Sequence, residues 1–292
     1  MRDRRPVGHR ALGWEAAAAV TLAGGLLIAL VSASPAWAGV VTPESGGSSN
    51  ADQIHSLYVV VLIIGATIFF GVAGTLVFFL VRYRGRRGQV ASQIHGNTQL
   101  EVGWTAAAGV ILVALAVLTF IKLHGIVTPA ASGADDIAAH PGALYATVDQ
   151  PQPPGDRALR ITVTGRQYLW RFDYPNGAFS YEQLVVPVDT TVVLSIRSVD
   201  VAHSWWIPKL GGKADAIPGY TNRTWFKITR PGAFSGQCAE LCGRNHADMV
   251  AEVRAVPATD YAAWVARQKR LIEQSERSLP ALREHLKSDG EL

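Results

Sequence analysis

Two runs of this chain are built for a bilayer. Leu57 to Val81 holds no charged residue over more than the roughly 20 residues needed to cross the hydrocarbon core. Val102 to Leu123 is almost as apolar, with Trp104 near one end and Lys122 near the other, as interfacial anchors should be. In lipid every backbone polar group has to be satisfied within the segment, so each run is predicted to be a helix. The connection, residues 82–101, opens on Arg82-Tyr-Arg84-Gly-Arg86-Arg87. Four arginines beside a span put this loop on the cytoplasmic side, and the chain before and after the hairpin outside.

A third apolar run lies at the start. Arg2, Arg4, Arg5 and Arg10 precede an apolar stretch near Ala16 to Val31, followed by Ala36-Trp-Ala38. These are the basic region, apolar region and small-residue cleavage site of a secretory signal, with cleavage expected after Ala38. No cysteine stands at that site, so no lipid anchor is expected. The signal's four arginines are set against Asp3 and Glu15, so its removal takes the formal charge from +4 to +2, and the mature chain without the four loop arginines is at −2. The basic balance is a consequence of membrane topology. The exported part has no basic stripe with interleaved aromatics, which argues against a nucleic-acid partner.

The predicted organisation is a signal at 1–38, an exported segment at 39–54, a helical hairpin at 55–125 with spans near 57–81 and 102–123, a linker at 126–158 rich in Ala, Gly, Pro and Asp, a β-domain at 159–258, and a C-terminal helix and tail at 259–292. Short β-prone runs bounded by turn residues occupy Leu159 to Thr164, Tyr168 to Tyr174, Gln183 to Pro187, Thr191 to Ser198, Thr224 to Ile228 and Val250 to Val256. Such spacing predicts an antiparallel sandwich with binding residues in loops at one end. From Thr259 onward Tyr261, Trp264, Val265, Leu271 and Ile272 recur at helical spacing.

The chemistry concentrates in Ser235-Gly-Gln-Cys238-Ala-Glu240-Leu-Cys242-Gly-Arg-Asn-His246-Ala-Asp-Met249, which contains the only two cysteines. Thiolate, imidazole and thioether are donors that suit copper, whereas Mg²⁺ and Ca²⁺ take oxygen. His203, in Asp200-Val-Ala-His203-Ser-Trp-Trp-Ile-Pro208, offers a second imidazole. Export would ordinarily favour a disulfide. Against that, the spacing with His and Met is more specified than a bridge requires, and so short a loop gives a bridge little entropic benefit. A single blue-copper ion needs one thiolate; a second from the same loop allows two bridged coppers and an electron relay with no position left for substrate. Glu101, at the cytoplasmic mouth of the second span, either caps the helix N-terminus or feeds a proton path in a partner.

These segments together are similar to subunit II of the haem-copper cytochrome c oxidases. The resemblance implies a membrane-anchored all-β protein: a two-helix transmembrane hairpin, then a cupredoxin-like Greek-key β-sandwich holding the binuclear copper centre CuA, then a C-terminal helix. It implies that Cys238 and Cys242 bridge two copper ions, that His203 and His246 are terminal ligands and Met249 a weak axial one, and that Glu240 supplies a backbone carbonyl. The Glu240 side chain would reach a Mg²⁺ shared with subunit I. Asp200 and Asp215 match segments at the subunit I interface or the cytochrome c docking face, and Glu101 matches the mouth of a proton path. The family commonly has a Trp where Gly165-Arg-Gln-Tyr168-Leu-Trp170 has Tyr168, the place of electron uptake.

The implied partners are subunits I and III, cytochrome c and the bilayer, and the implied place is a bacterial inner membrane with the copper domain on its outer face. The implied activity is that of an oxidoreductase subunit: electrons pass from cytochrome c to haem in subunit I, where O2 is reduced and protons are pumped. No Cys-x-x-Cys-His is present, so the donor is a separate protein. A membrane-anchored copper carrier would favour an open, exchangeable site. The quinol-oxidase counterpart lacks the copper ligands, and a nitrous oxide reductase copper domain lacks the hairpin.

Overall fold

The computed structural model describes residues 41–84, 93, 95–130 and 158–288. The signal reading, part of the arginine loop and most of the expected linker lie outside these residues.

The described residues divide into two units, one holding 41–42, 56–84, 93 and 95–121 and the other 43–55, 122–130 and 158–288. In the first, α1 (Ser49–Arg82) and α2 (Thr98–Val127) are long enough to span, and both run past their predicted ends because polar turns extend the apolar cores. Their apolar side chains stay exposed, Phe69 and Phe120 among them, as contact with lipid requires. The hydroxyls of Thr67, Thr75, Thr105 and Thr119 donate to the carbonyl one turn back at 2.8–2.9 Å, so none needs water. At the start of α2 the Leu100 N–H donates to Asn97 Oδ1 at 3.1 Å and the Asn97 N–H donates to Glu101 Oε1 at 3.3 Å, a reciprocal cap.

The second unit is a β-sandwich. One sheet runs β3 (Phe179–Tyr181), β2 (Leu169–Asp173), β1 (Leu159–Arg166), β5 (Thr191–Ser198), β8 (Asn222–Lys227). The other runs β4 (Gln183–Pro187), β10 (Val250–Val256), β9 (Gly232–Gln237), and a small pair, β6 (His203–Trp205) with β7 (Ala214–Ala216), completes it. Burial alternates along β2 and β10, as it does in strands that turn one face to a core. Inward residues of both sheets, including Val163, Phe172, Leu194, Leu184 and Val253, form one core.

The expectation of antiparallel pairing is corrected at two places: β1 pairs with β5 and β4 with β10 in parallel. Parallel neighbours require crossovers, and here β4 leaves the first sheet for the second before β5 returns beside β1. Periodicity cannot register that exchange. β8 would be an open edge, but the Lys227 N–H donates to Ser48 Oγ at 3.1 Å and Asn50 Nδ2 donates to the Trp225 carbonyl at 2.8 Å. Trp225 Nε1 donates in turn to the Ile126 carbonyl at 3.0 Å. The first turn of α1 and the last of α2 therefore belong to this unit. α3 (Ala258–Ser288) lays Tyr261 and Trp264 on Tyr174, with ring centroids 6.5 and 5.0 Å away, as the helical spacing predicted.

Candidate metal centre

The loop from Cys238 to Met249 is shaped by its backbone. The Cys238 N–H donates to the Met249 carbonyl at 2.9 Å, closing the loop just beyond the β9–β10 ladder. The Ala239 and Gln237 N–H groups donate to the carbonyls of Ser204 and Trp206 at 2.8 and 3.1 Å, docking the loop onto β6. A short 3₁₀ turn, His246–Asp248, then returns the chain to β10.

This places the predicted donors together. The thiols of Cys238 and Cys242 are 3.9 Å apart and both free. Cys238 Sγ has His203 Nδ1 at 3.9 Å and the Glu240 carbonyl oxygen at 3.2 Å. Cys242 Sγ has His246 Nδ1 at 3.5 Å and Met249 Sδ at 3.9 Å. Each sulfur is thus flanked by its own imidazole and its own weaker donor. His203 and Met249 are fully buried and the two cysteines nearly so. Burial, then the neighbouring Cys238 sulfur, pushes the Cys242 thiol above its ordinary value. A bare Cys242 thiolate is disfavoured here without a cation, and a bound metal would displace its proton. Two sulfurs and two imidazoles would also suit zinc, but the thioether and the extra carbonyl, one beside each sulfur, fit a copper pair better.

His203 is aimed by Asp200. Its Nε2–H donates to Asp200 Oδ1 at 2.8 Å, which turns the Nδ1 lone pair toward the thiols. Burial pushes the Asp200 carboxyl up, but the Gln167 N–H, the His203 ring, the Val201 N–H and the Ser198 hydroxyl outweigh it and hold it down at about 2. Trp170 packs edge-on to the imidazole at 5.9 Å, and a Cβ at Gly165 would meet His203 Cδ2 at 3.0 Å. Asp200→Asn is expected to weaken copper affinity roughly 10- to 100-fold with the fold retained, measured by competition with a copper chelator.

Tyr168 lies at the loop's outer edge, where its hydroxyl accepts the Arg244 N–H at 3.1 Å. Its neighbour Gln167 was not singled out by the sequence, yet Gln167 Nε2 donates to the Cys242 carbonyl at 2.6 Å and its N–H donates to Asp200 Oδ2 at 2.7 Å. No periodic or spacing signal marks such a residue; only the approach of β1 to the loop does. The Glu240 side chain is exposed. Asp215, in β7, is exposed and pairs with Ser204 across the hairpin, and Glu101 serves as part of the α2 cap.

Comparison with known proteins gives a consistent pattern. The family profile described as cytochrome C oxidase subunit II, transmembrane domain, matches residues 35–121, and that described as cytochrome C oxidase subunit II, periplasmic domain, matches residues 179–256. Proteins named cytochrome c oxidase subunit 2 are similar over most of the chain. That of Thermostichus vulcanus is 31% identical over 90% of this chain and 89% of its own length, and that of Cereibacter sphaeroides 29% over 82% and 86%. That of Alkalihalophilus pseudofirmus is 35% identical over 79% of this chain, which spans 63% of that relative's length. Among solved structures, the periplasmic domain of subunit II of cytochrome oxidase from Bradyrhizobium japonicum is 36% identical with a TM-score of 0.38, covering 38% of this chain and 94% of that one.

Proposed function

This chain belongs to the cytochrome c oxidase subunit II family, and from that premise we propose that it is the electron-accepting subunit of a respiratory terminal oxidase. Electrons from a c-type cytochrome would be taken up at a dicopper centre held by Cys238, Cys242, His203, His246, Met249 and the Glu240 carbonyl. They would pass to haem in subunit I, where O2 is reduced and protons are pumped. The observation that carries this reading is the division of donors into two sets about two sulfurs 3.9 Å apart.

Copper supplies one-electron chemistry when bound; the rest of the work belongs to the protein. Asp200 orients His203, Trp170 and Gly165 fix the ring's seat, and the β9–β10 ladder holds the ends of the loop at Cys238 and Met249. Burial keeps water from the sulfurs, so little has to reorganise when charge changes there. Gln167 joins Tyr168 to the Cys242 backbone, a short connected route from surface to sulfur. The same reading gives Glu240 a Mg²⁺ at the boundary with subunit I, and Glu101 the mouth of a proton path in addition to its cap. It puts subunit III in the complex and the β-domain on the outer face of a bacterial inner membrane.

The test is metal content and EPR of the full chain, purified in detergent and loaded with copper. Two coppers per chain with a seven-line hyperfine pattern are expected. One copper with a four-line pattern, or preferential retention of zinc, would overturn the dicopper reading.

A further inference from the structure

The turn between β1 and β2 reaches the metal loop from outside it. Arg166 closes β1 opposite Leu169 at the start of β2, so Gln167 and Tyr168 form a two-residue turn whose place is set by the ladder behind it. Both of its side chains meet the backbone of the loop. Gln167 Nε2 donates to the Cys242 carbonyl at 2.6 Å, and the Tyr168 hydroxyl accepts the Arg244 N–H at 3.1 Å. Gly243 lies between the two contacts with a φ of +133°, which favours glycine. A Cβ there would meet the Tyr168 hydroxyl at 2.7 Å and Gln167 Nε2 at 2.8 Å, so a larger residue would push both contacts apart.

Gln167 has a second hold on the site. Its N–H donates to Asp200 Oδ2 at 2.7 Å, while Asp200 Oδ1 takes the His203 Nε2–H at 2.8 Å. His203 Nδ1 belongs to the Cys238 sulfur, whereas His246 and Met249 belong to the Cys242 sulfur. One residue therefore holds the carboxylate that aims the first donor set and the carbonyl of the cysteine at the centre of the second. The Cys238 N–H bond to the Met249 carbonyl ties the ends of the loop together. Cys242 stands between those ends, four residues after Cys238 and seven before Met249, where that closure restrains it least. The Gln167 amide anchors it there to a strand turn outside the loop. An amide is a neutral donor, so this grip does not depend on the charge state of the groups around it.

We propose that Gln167 is a positioning residue for the metal pair: it fixes the Cys242 sulfur relative to the Cys238 sulfur and so keeps the two donor sets equivalent. The inference rests on the dicopper reading given above. Sharing one electron over two ions requires two sites of nearly equal energy, and a sulfur free to drift toward one set would localise that electron on one ion. Holding a donor in place by a partner behind it is how outer groups act on metal ligands. The contact is made to the chain's own backbone, so it needs no second protein.

The test compares Gln167→Glu and Gln167→Ala with the unaltered full chain, each purified in detergent, loaded with copper and studied with no electron donor protein present. Glutamate keeps the shape of glutamine but as a carboxylate cannot donate to the Cys242 carbonyl, and alanine removes the contact without adding a charge. Gln167 is exposed, so neither change disturbs the core, and far-UV circular dichroism should be unaltered. In both variants the EPR spectrum is expected to lose its seven-line symmetry, and copper should pass to a competing chelator about tenfold or more readily. Arg166→Gln, at the exposed position just before, should change neither readout. A seven-line pattern and an unchanged hold on copper in both Gln167 variants would overturn the proposal. An equal loss with Arg166→Gln would overturn it too, since the effect would then belong to the turn as a whole. If the unaltered chain itself gives one copper and a four-line signal, the dicopper reading falls, and the chelator comparison still decides whether Gln167 positions Cys242.

Discussion

Replacing Cys242 with serine is expected to take the copper content from two per chain to one or none and to replace the seven-line hyperfine pattern with a four-line signal or none. Cys242 Sγ is the hub of the donor set: Cys238 Sγ and Met249 Sδ each lie 3.9 Å away and His246 Nδ1 lies 3.5 Å away. A serine oxygen is a harder donor and far less acidic than a thiol, so it can neither match copper's preference nor bridge two ions as a thiolate does. His246 and Met249 would lose their shared neighbour, whereas Cys238, His203 and the Glu240 carbonyl would remain as a set for one ion. The change is nearly isosteric, so the sandwich should stay folded, which far-UV circular dichroism would check. Cys238→Ser should produce the mirror result, stranding His203 while His246 and Met249 keep their sulfur. Full retention of both coppers in either variant would mean that the thiols do not bridge.

Much of this was legible in the sequence because it lay in local patterns. The two spans follow from apolar runs that no soluble core needs, and β4, β5 and β10 were bounded correctly because β-branched residues run between turn signals. The candidate metal loop stood out because five residues with possible donor atoms lie within one short segment. His203 was reachable only as the one imidazole in an apolar segment, and nothing local showed that β6 would carry it to within 3.9 Å of Cys238. The elements that escaped are those whose reason is tertiary. β9 contains two glycines and a serine and has little strand propensity of its own; it is a strand because β10 offers it a ladder. β3, β6 and β7 are three residues each, too short for any period to register. Asp200 shows the same limit: nothing local in the sequence joined it to His203, yet in the structure its three-residue separation lets it reach back to that imidazole.

Gly236→Ala is expected to destabilise the exported domain by on the order of 3 kcal/mol and to impair copper uptake with it. β9 passes so close to the segment after β6 that a Cβ at position 236 would sit 2.0 Å from the Trp206 carbonyl oxygen, 2.5 Å from Ile207 Cδ1 and 2.9 Å from Ile207 Cα. Two of these are backbone atoms, and no rotamer change can move them aside. The Trp206–Ile207 segment is itself fixed: its carbonyl receives the Gln237 N–H at 3.1 Å, Ile207 is buried, and Trp205 stacks on Phe226 at 6.2 Å. Either β9 or this segment would have to shift by more than an ångström. The metal donors sit on both sides of the contact, His203 three residues before Trp206 and Cys238 two after Gly236, so the shift would separate the first sulfur from its imidazole. Gly232→Ala in the same strand isolates the cause, since a Cβ there meets only the Phe234 ring at an ordinary 3.6 Å. Thermal unfolding of both variants, followed with copper uptake, should show Gly232→Ala near the unaltered chain and Gly236→Ala well below it. Equal melting of the two would mean that the close approach at Gly236 does not hold the two halves of the metal site in register.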